Sequence, residues 1–220
     1  MIQVQNWPDA SYPFSNSERM QPEHSNNKSC DWTRSSILIC SHAAEYHFSS
    51  RNSSSIMSQS AQFERWTHLW SSTQWWSQHH PPQMHPILSS AISNIIFDQK
   101  TTFPLIIHTS RANLIASIMY HTASLLLLQT RIPNLRRISN LKTPTWYAVQ
   151  ICGLGISNNP QWSCDPVVIA ALVYAGRLIS YQEQKDELEQ FLWGVAKGSG
   201  WQVAGQIEEM LEGWRADSTM

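Results

Sequence analysis

The chain has 220 residues, 42% of them hydrophobic and only 14% charged, and its 15 Lys and Arg against 16 Asp and Glu leave a formal net charge of -1. A balance so close to neutral excludes a whole-chain nucleic-acid binder, whose affinity rests on Lys and Arg neutralising phosphates. Eleven Trp and the scarcity of charge exclude a chain that is nothing but solvated tail.

Residues 1–30 are dense in Ser, Asn, Gln and Pro and read as largely disordered. A helix is predicted over 31–48, capped by Ser29 or Asp31, with Ile37, Cys40, Ala44 and Phe48 on one face. After a linker at 49–60, Phe63, Trp66, Leu69, Trp70, Thr73 and Trp76 recur at helical steps until Pro81-Pro82 stops them. Residues 79–108 read as loop, in which Ile95-Ile96-Phe97 and Leu105-Ile106-Ile107 are apolar runs that periodicity cannot assign. Asn113, Ser117, His121 and Ser124 then form one polar seam on an otherwise apolar helix. A helix is expected over 145–156. Asp165 at a cap and Pro166 at the first helical position open a central one over 167–179. Leu188, Phe191, Leu192 and Val195 mark the next, stopped by Gly198. Ser199 and Gln202 fit a capping box for the last, whose buried stripe is Val203, Ile207, Met210, Leu211 and Trp214. The fold class is all-α, an irregular helical bundle or array over 31–217.

No apolar segment follows a basic start, and the longest apolar stretch, 114–128, falls short of the roughly 20 residues a bilayer span needs. A soluble, non-secreted protein is expected. Cys30, Cys40, Cys152 and Cys164 form no C-x-x-C pair and read as reduced thiols. His79, His80 and His85 read as exposed loop histidines, because the prolines between them deny the spacing that aligns two imidazoles on one metal. Cys30, Cys40, His42 and His47 lack the short first pair of a structural zinc site. Gly153-Leu154-Gly155 lacks the third glycine of a dinucleotide turn and reads as a helix end. His108 and Ser110 are near only in sequence, which does not make a catalytic pair. His121 reads as a structural side chain. Arg131, Arg136, Arg137 and Lys142 read as solvated charge, and the acidic stretch from Glu183 to Asp217 would repel DNA. No catalytic, cofactor, metal or DNA-binding residue is assigned, and the chain is not expected to be an enzyme.

Three segments, WTHLWSSTQWWSQHHPPQMHPIL (66–88), IMYHTASLLLLQTRIP (118–133) and WYAVQICGLGISNNPQWSCDPVVIAALVYAGRLIS (146–180), are similar to the regulatory region of fungal zinc binuclear-cluster transcription factors. The tail SGWQVAGQIEEMLEGW (199–214) resembles the branch often labelled arca-like. Tyr120, His121, Trp146, Cys152, Asp165, Pro166 and Trp201 occupy the recognisable positions, read as packing and helix-capping residues. The resemblance implies a nuclear or nucleocytoplasmic regulatory domain for transcription. In the family it follows a six-cysteine, two-zinc DNA-binding head, which four scattered cysteines cannot build. It therefore implies action through protein partners, a full-length relative or another transcription factor, with no direct DNA binding by this chain. Alternatives are a small-molecule-binding helical domain, with Asn113, Ser117 and His121 facing a cavity, and a truncated, non-functional remnant.

Overall fold

The computed structural model describes residues 27–52, 59–90, 102–130 and 141–217. Among them are eight helices, α1 (Asn27–Asn52), α2 (Gln59–His79), α3 (Arg111–Gln129), α4 (Pro144–Ser157), α5 (Pro160–Ser163), α6 (Pro166–Gly176), α7 (Gln182–Ser199) and α8 (Ala204–Asp217). The fold is all-α, with one short antiparallel ribbon of β1 (Leu88–Ser90) and β2 (Leu105–Ile107), in which Ser89 faces Ile106. Most of the disorder expected at 1–30, the run Ile95-Ile96-Phe97 and Arg131, Arg136 and Arg137 lie outside the described residues.

Helix α3 is the hub, packed against α1, α2, α4 and α6. Its sequence is apolar on nearly every face, so Leu114, Ala116, Ile118, Ala123, Leu125 and Leu127 are all sealed from water. Ser110 caps it, its hydroxyl accepting the Asn113 amide at 3.2 Å. Helices α1 and α2 run antiparallel: the Tyr46 hydroxyl donates to the Gln62 carbonyl (2.8 Å), and at the other end Trp76 Nε1 donates to the Trp32 carbonyl (2.9 Å). Trp66 Nε1 donates to the Leu127 carbonyl at 2.9 Å and ties α2 to α3.

Several expectations are corrected. α1 begins at Asn27, ahead of Ser29 and Asp31, and ends at Asn52, and α2 begins at Gln59, so 49–52 and 59–60 are helical where a linker is expected. Its buried face is Ser36, Ile39, Cys40, Ala43, Tyr46 and His47, while Ile37 and Phe48 point outward. The stretch 79–108 is not all loop, since it holds the end of α2, a 3-10 turn at Pro82–Met84 and both strands, with Met84, Phe103 and Ile106 in the core.

Gly153 and Gly155 sit inside α4, which continues to Ser157 rather than ending at them. They are close-approach positions: a Cβ on Gly153 would stand 2.5 Å from the Pro104 carbonyl oxygen, and one on Gly155 2.7 Å from Leu172. Backbone cannot yield as a side chain does, so Gly153→Ala is expected to lose about 1–3 kcal/mol through overpacking. Gly194→Ala, in open space on α7, is expected to gain roughly 0.5–1 kcal/mol by favouring helix over the unfolded chain. Urea midpoints of the two variants check the pair, and equal shifts would contradict it.

The C-terminal helices cover the open side of α6. Asp165 caps α6 as expected, its carboxylate accepting the Val167 amide at 2.9 Å and pairing with Arg111. Two details differ. α7 ends at Ser199, and Gly200 with φ 72 supplies the left-handed residue expected at Gly198. The Ser199 hydroxyl accepts the Trp201 amide instead of capping α8, which starts at Ala204. The stripe Ile207, Met210, Leu211 and Trp214 is buried, and Trp214 Nε1 donates to the Gly176 carbonyl at 2.9 Å.

Candidate functional site

The densest grouping of chemically capable side chains lies where the end of α2, the chain beyond it, β2 and the middle of α3 meet α4. α2 delivers Trp76 and, one turn later, His80, whose rings stack with centres 4.8 Å apart. The Pro81-Pro82 stop turns the chain back, and His85 meets His80 edge-on at 4.6 Å. β2 runs directly into His108, which is 3% exposed. α3 places Tyr120 against Trp76 (5.8 Å) and His121 between Trp146 (5.9 Å) and Tyr147 (5.8 Å) of α4.

The electrostatics of this string follow from burial. Desolvation pushes His108 down to about 4, and the neighbouring His80 pushes the same way. His121 keeps a partly exposed edge, but its Nδ1 is buried, and it falls to about 3 through desolvation first and His108 second. His80 is lowered by burial against the bond its ring makes to the Trp76 carbonyl, with His85 adding to the lowering. The Tyr147 hydroxyl is raised by burial and then by Tyr120. At neutral pH His80, His108 and His121 are therefore uncharged. His121 Nδ1 and both ring nitrogens of His108 have no hydrogen-bond partner among the described residues.

A working imidazole base is held by an acceptor that orients it; the Trp76 carbonyl holds the His80 ring, whereas both nitrogens of His108 and Nδ1 of His121 have no such partner among the described residues. Among the described residues, no group of three or more His, Cys, Asp and Glu could hold a metal ion. His108 and Ser110 are not joined, since Ser110 serves as the α3 cap and the His108 amide donates to Asn158 Oδ1 at 2.9 Å.

The remaining singled-out residues are placed as follows. His79 is exposed and stacks on Trp75 at 4.5 Å, whereas His80 is half-buried rather than exposed, because Trp76 covers its face. Along the seam, Asn113 Nδ2 donates to the Gln83 carbonyl (2.8 Å) and the Ser124 hydroxyl to the Tyr120 carbonyl (3.0 Å). All four cysteines are free thiols. Burial raises Cys40 to about 12, and Cys152 is raised too, by burial and then Glu187. Trp146 packs against His121 and Tyr147 while keeping 37% of its surface open, whereas Trp201 is half exposed, a correction to its reading as a packing residue; Trp201 Nε1 donates to the Cys164 carbonyl at 3.2 Å. Lys142 lies 5.5 Å from the centre of the Trp146 ring.

Two features escape a sequence reading. His47, buried on α1, has Nδ1 3.1 Å from the Thr130 hydroxyl and Nε2 3.3 Å from the Tyr174 hydroxyl, which donates to Gln129 Oε1 at 2.5 Å. Its partners come from the end of α3 and from α6, far along the chain, so no local spacing reveals them. The second is a cleft of about 330 Å³ between α1 and α2, lined by Ile39, His42, Glu45, Arg65, His68, Leu69 and Ser72. Glu45 and Arg65 pair across it at 3.3 Å. No helix among the described residues is long and apolar enough to cross a membrane. The chain matches no family model, no curated protein and no solved structure.

Proposed function

We propose that the chain is a helical regulatory module of the fungal zinc binuclear-cluster transcription-factor type, acting in the nucleus through protein partners and not through its own contacts with DNA. The observation that carries this reading is that the segments bearing the resemblance are neighbours in space. Residues 66–88, 118–130 and 146–180 supply most of α2, α3, α4 and α6, and α3 packs on each of the other three. A set of segments selected together as one module has reason to share one core. Large apolar side chains at its surface, among them Phe48, Val167, Tyr181 and Trp201, suit association with other proteins.

A ligand-binding helical domain is the weaker reading. It would rest on His121 facing a cavity, and that ring is packed by Tyr120, Trp146 and Tyr147. The test is light scattering and a DNA mobility shift at stated salt, with the full chain alone and mixed with a full-length zinc-cluster relative. The chain is expected to shift no DNA alone, to co-elute with the relative, and to weaken its DNA binding. A soluble, folded chain that leaves the relative's elution and DNA binding unchanged would sink the proposal.

A further inference from the structure

Among the described residues, helix α1 is covered on one side only. Ser36, Ile39, Ala43, Tyr46 and His47 are buried, and at 100° per residue the opposite line of the helix carries Arg34, Ile37, Leu38, Ser41, Glu45 and Phe48. Ile37 is 43%, Leu38 41% and Phe48 48% exposed. Single exposed apolar residues are ordinary, but three aligned on one helix face form a patch. Beside this ridge runs the α1–α2 cleft, whose floor is Ile39 and Leu69. Ridge and hollow lie side by side on one molecule. A two-fold interface needs that arrangement, because each copy must offer both.

The charges on the same line say which occupant fits. Arg34 and Glu45 stand about 16 Å apart along the helix, bracketing Leu38 and Ser41. We propose that a second copy of this chain docks on this face, its α1 antiparallel to the first, about a two-fold axis crossing between Ile39 and Cys40. In that register Arg34 meets Glu45 of the second copy, twice by symmetry, and each Leu38 sits on the small Ser41 opposite. A parallel pairing would set Arg34 against Arg34 and Glu45 against Glu45. Glu45 already accepts from Arg65, and a carboxylate has lone pairs enough for a second guanidinium. The inference stands apart from the proposed function, since it concerns copies of this chain alone.

The test is sedimentation and light scattering of the full chain from about 1 to 200 μM, with Leu38→Glu, Arg34→Glu and Glu45→Arg variants checked for unchanged helicity by circular dichroism. Wild type is expected at twice the 25.2 kDa chain mass in the upper part of this range. Each single variant is expected to dimerise at least tenfold more weakly. An equimolar mixture of Arg34→Glu with Glu45→Arg is expected to recover the dimer, because only the mixed pair sets opposite charges at both contacts. A monomeric wild type throughout, a dimer indifferent to Leu38→Glu, or a mixture no better than its components would each overturn the proposal.

Discussion

Lowering the pH from 7 to 5 is expected to remove about 4 kcal/mol of folding stability through two histidines. His108 and His121 have folded-state values of about 4 and about 3, both below the ordinary 6.5. As the pH falls through 6.5 the unfolded chain takes up protons at these positions, while the folded chain takes up none until the pH nears 4. The stability that neutral, buried imidazoles allow is thus fully present above 6.5 and is lost as the pH falls towards the folded values. Each group contributes about 1.4 kcal/mol per pH unit inside that window, or about 2 kcal/mol apiece by pH 5. Against the roughly 5–15 kcal/mol of a typical domain this is a large fraction. Urea melts at half-unit pH steps would show it. His121→Leu is expected to halve the slope between pH 6 and 5, whatever the substitution does to stability at pH 7. A wild-type melt flat from pH 7 to 5 would mean that neither ring is shielded from water as described.

How legible these features are depends on the physics that makes each one. The start of α6 is written locally: Asp165 supplies the cap and Pro166 the first-turn geometry, so a dipeptide is enough. The buried face of α1 is not. Apolar spacing selects Ile37, Ala44 and Phe48, but the core side also carries Ser36, whose hydroxyl donates to the Thr33 carbonyl at 2.7 Å, and His47, held by Thr130 and Tyr174. Polar residues satisfied by hydrogen bonds are buried cheaply, and periodicity counts them as surface. The β ribbon is missed for another reason: three-residue strands carry too little alternation to declare themselves, and Leu105-Ile106-Ile107 needs Leu88–Ser90 to become a strand at all.

The same division runs through the candidate site. The polar seam of α3 is legible because Asn113, Ser117, His121 and Ser124 share one helix face. Its meeting with His80 and His108 is not legible, because it depends on how the chain returns after Pro81-Pro82 and after β2. Gly153 and Gly155 look like a helix end when only propensity is weighed, since glycine weakens a helix interior. Their place inside α4 is explained by the Pro104 backbone and Leu172, which leave no room for a side chain.

Trp66→Ala is expected to lose about 3–5 kcal/mol, enough to leave much of the chain unfolded, whereas Trp201→Ala is expected to lose less than about 1 kcal/mol. Trp146 and Trp201 are the tryptophans that the family resemblance singles out, yet Trp201 is 52% exposed and one 3.2 Å bond to the Cys164 carbonyl is its clearest tie. Trp66 is wholly buried, stacked on Trp70 at 5.5 Å, and bonded to the carbonyl of Leu127 in the hub helix. Its truncation removes a wholly buried indole from between α2 and α3 and opens a cavity that a rigid α3 cannot fill. Trp66→Phe separates the terms: it retains most of the apolar volume, loses the indole donor, and is expected to fall between, at about 1–3 kcal/mol. Urea melts followed by far-ultraviolet circular dichroism would rank the three without relying on tryptophan emission. If Trp201→Ala proved the most damaging, the α2–α3 contact would not be the centre of the fold, and the C-terminal segment that Trp201 introduces would have to take its place.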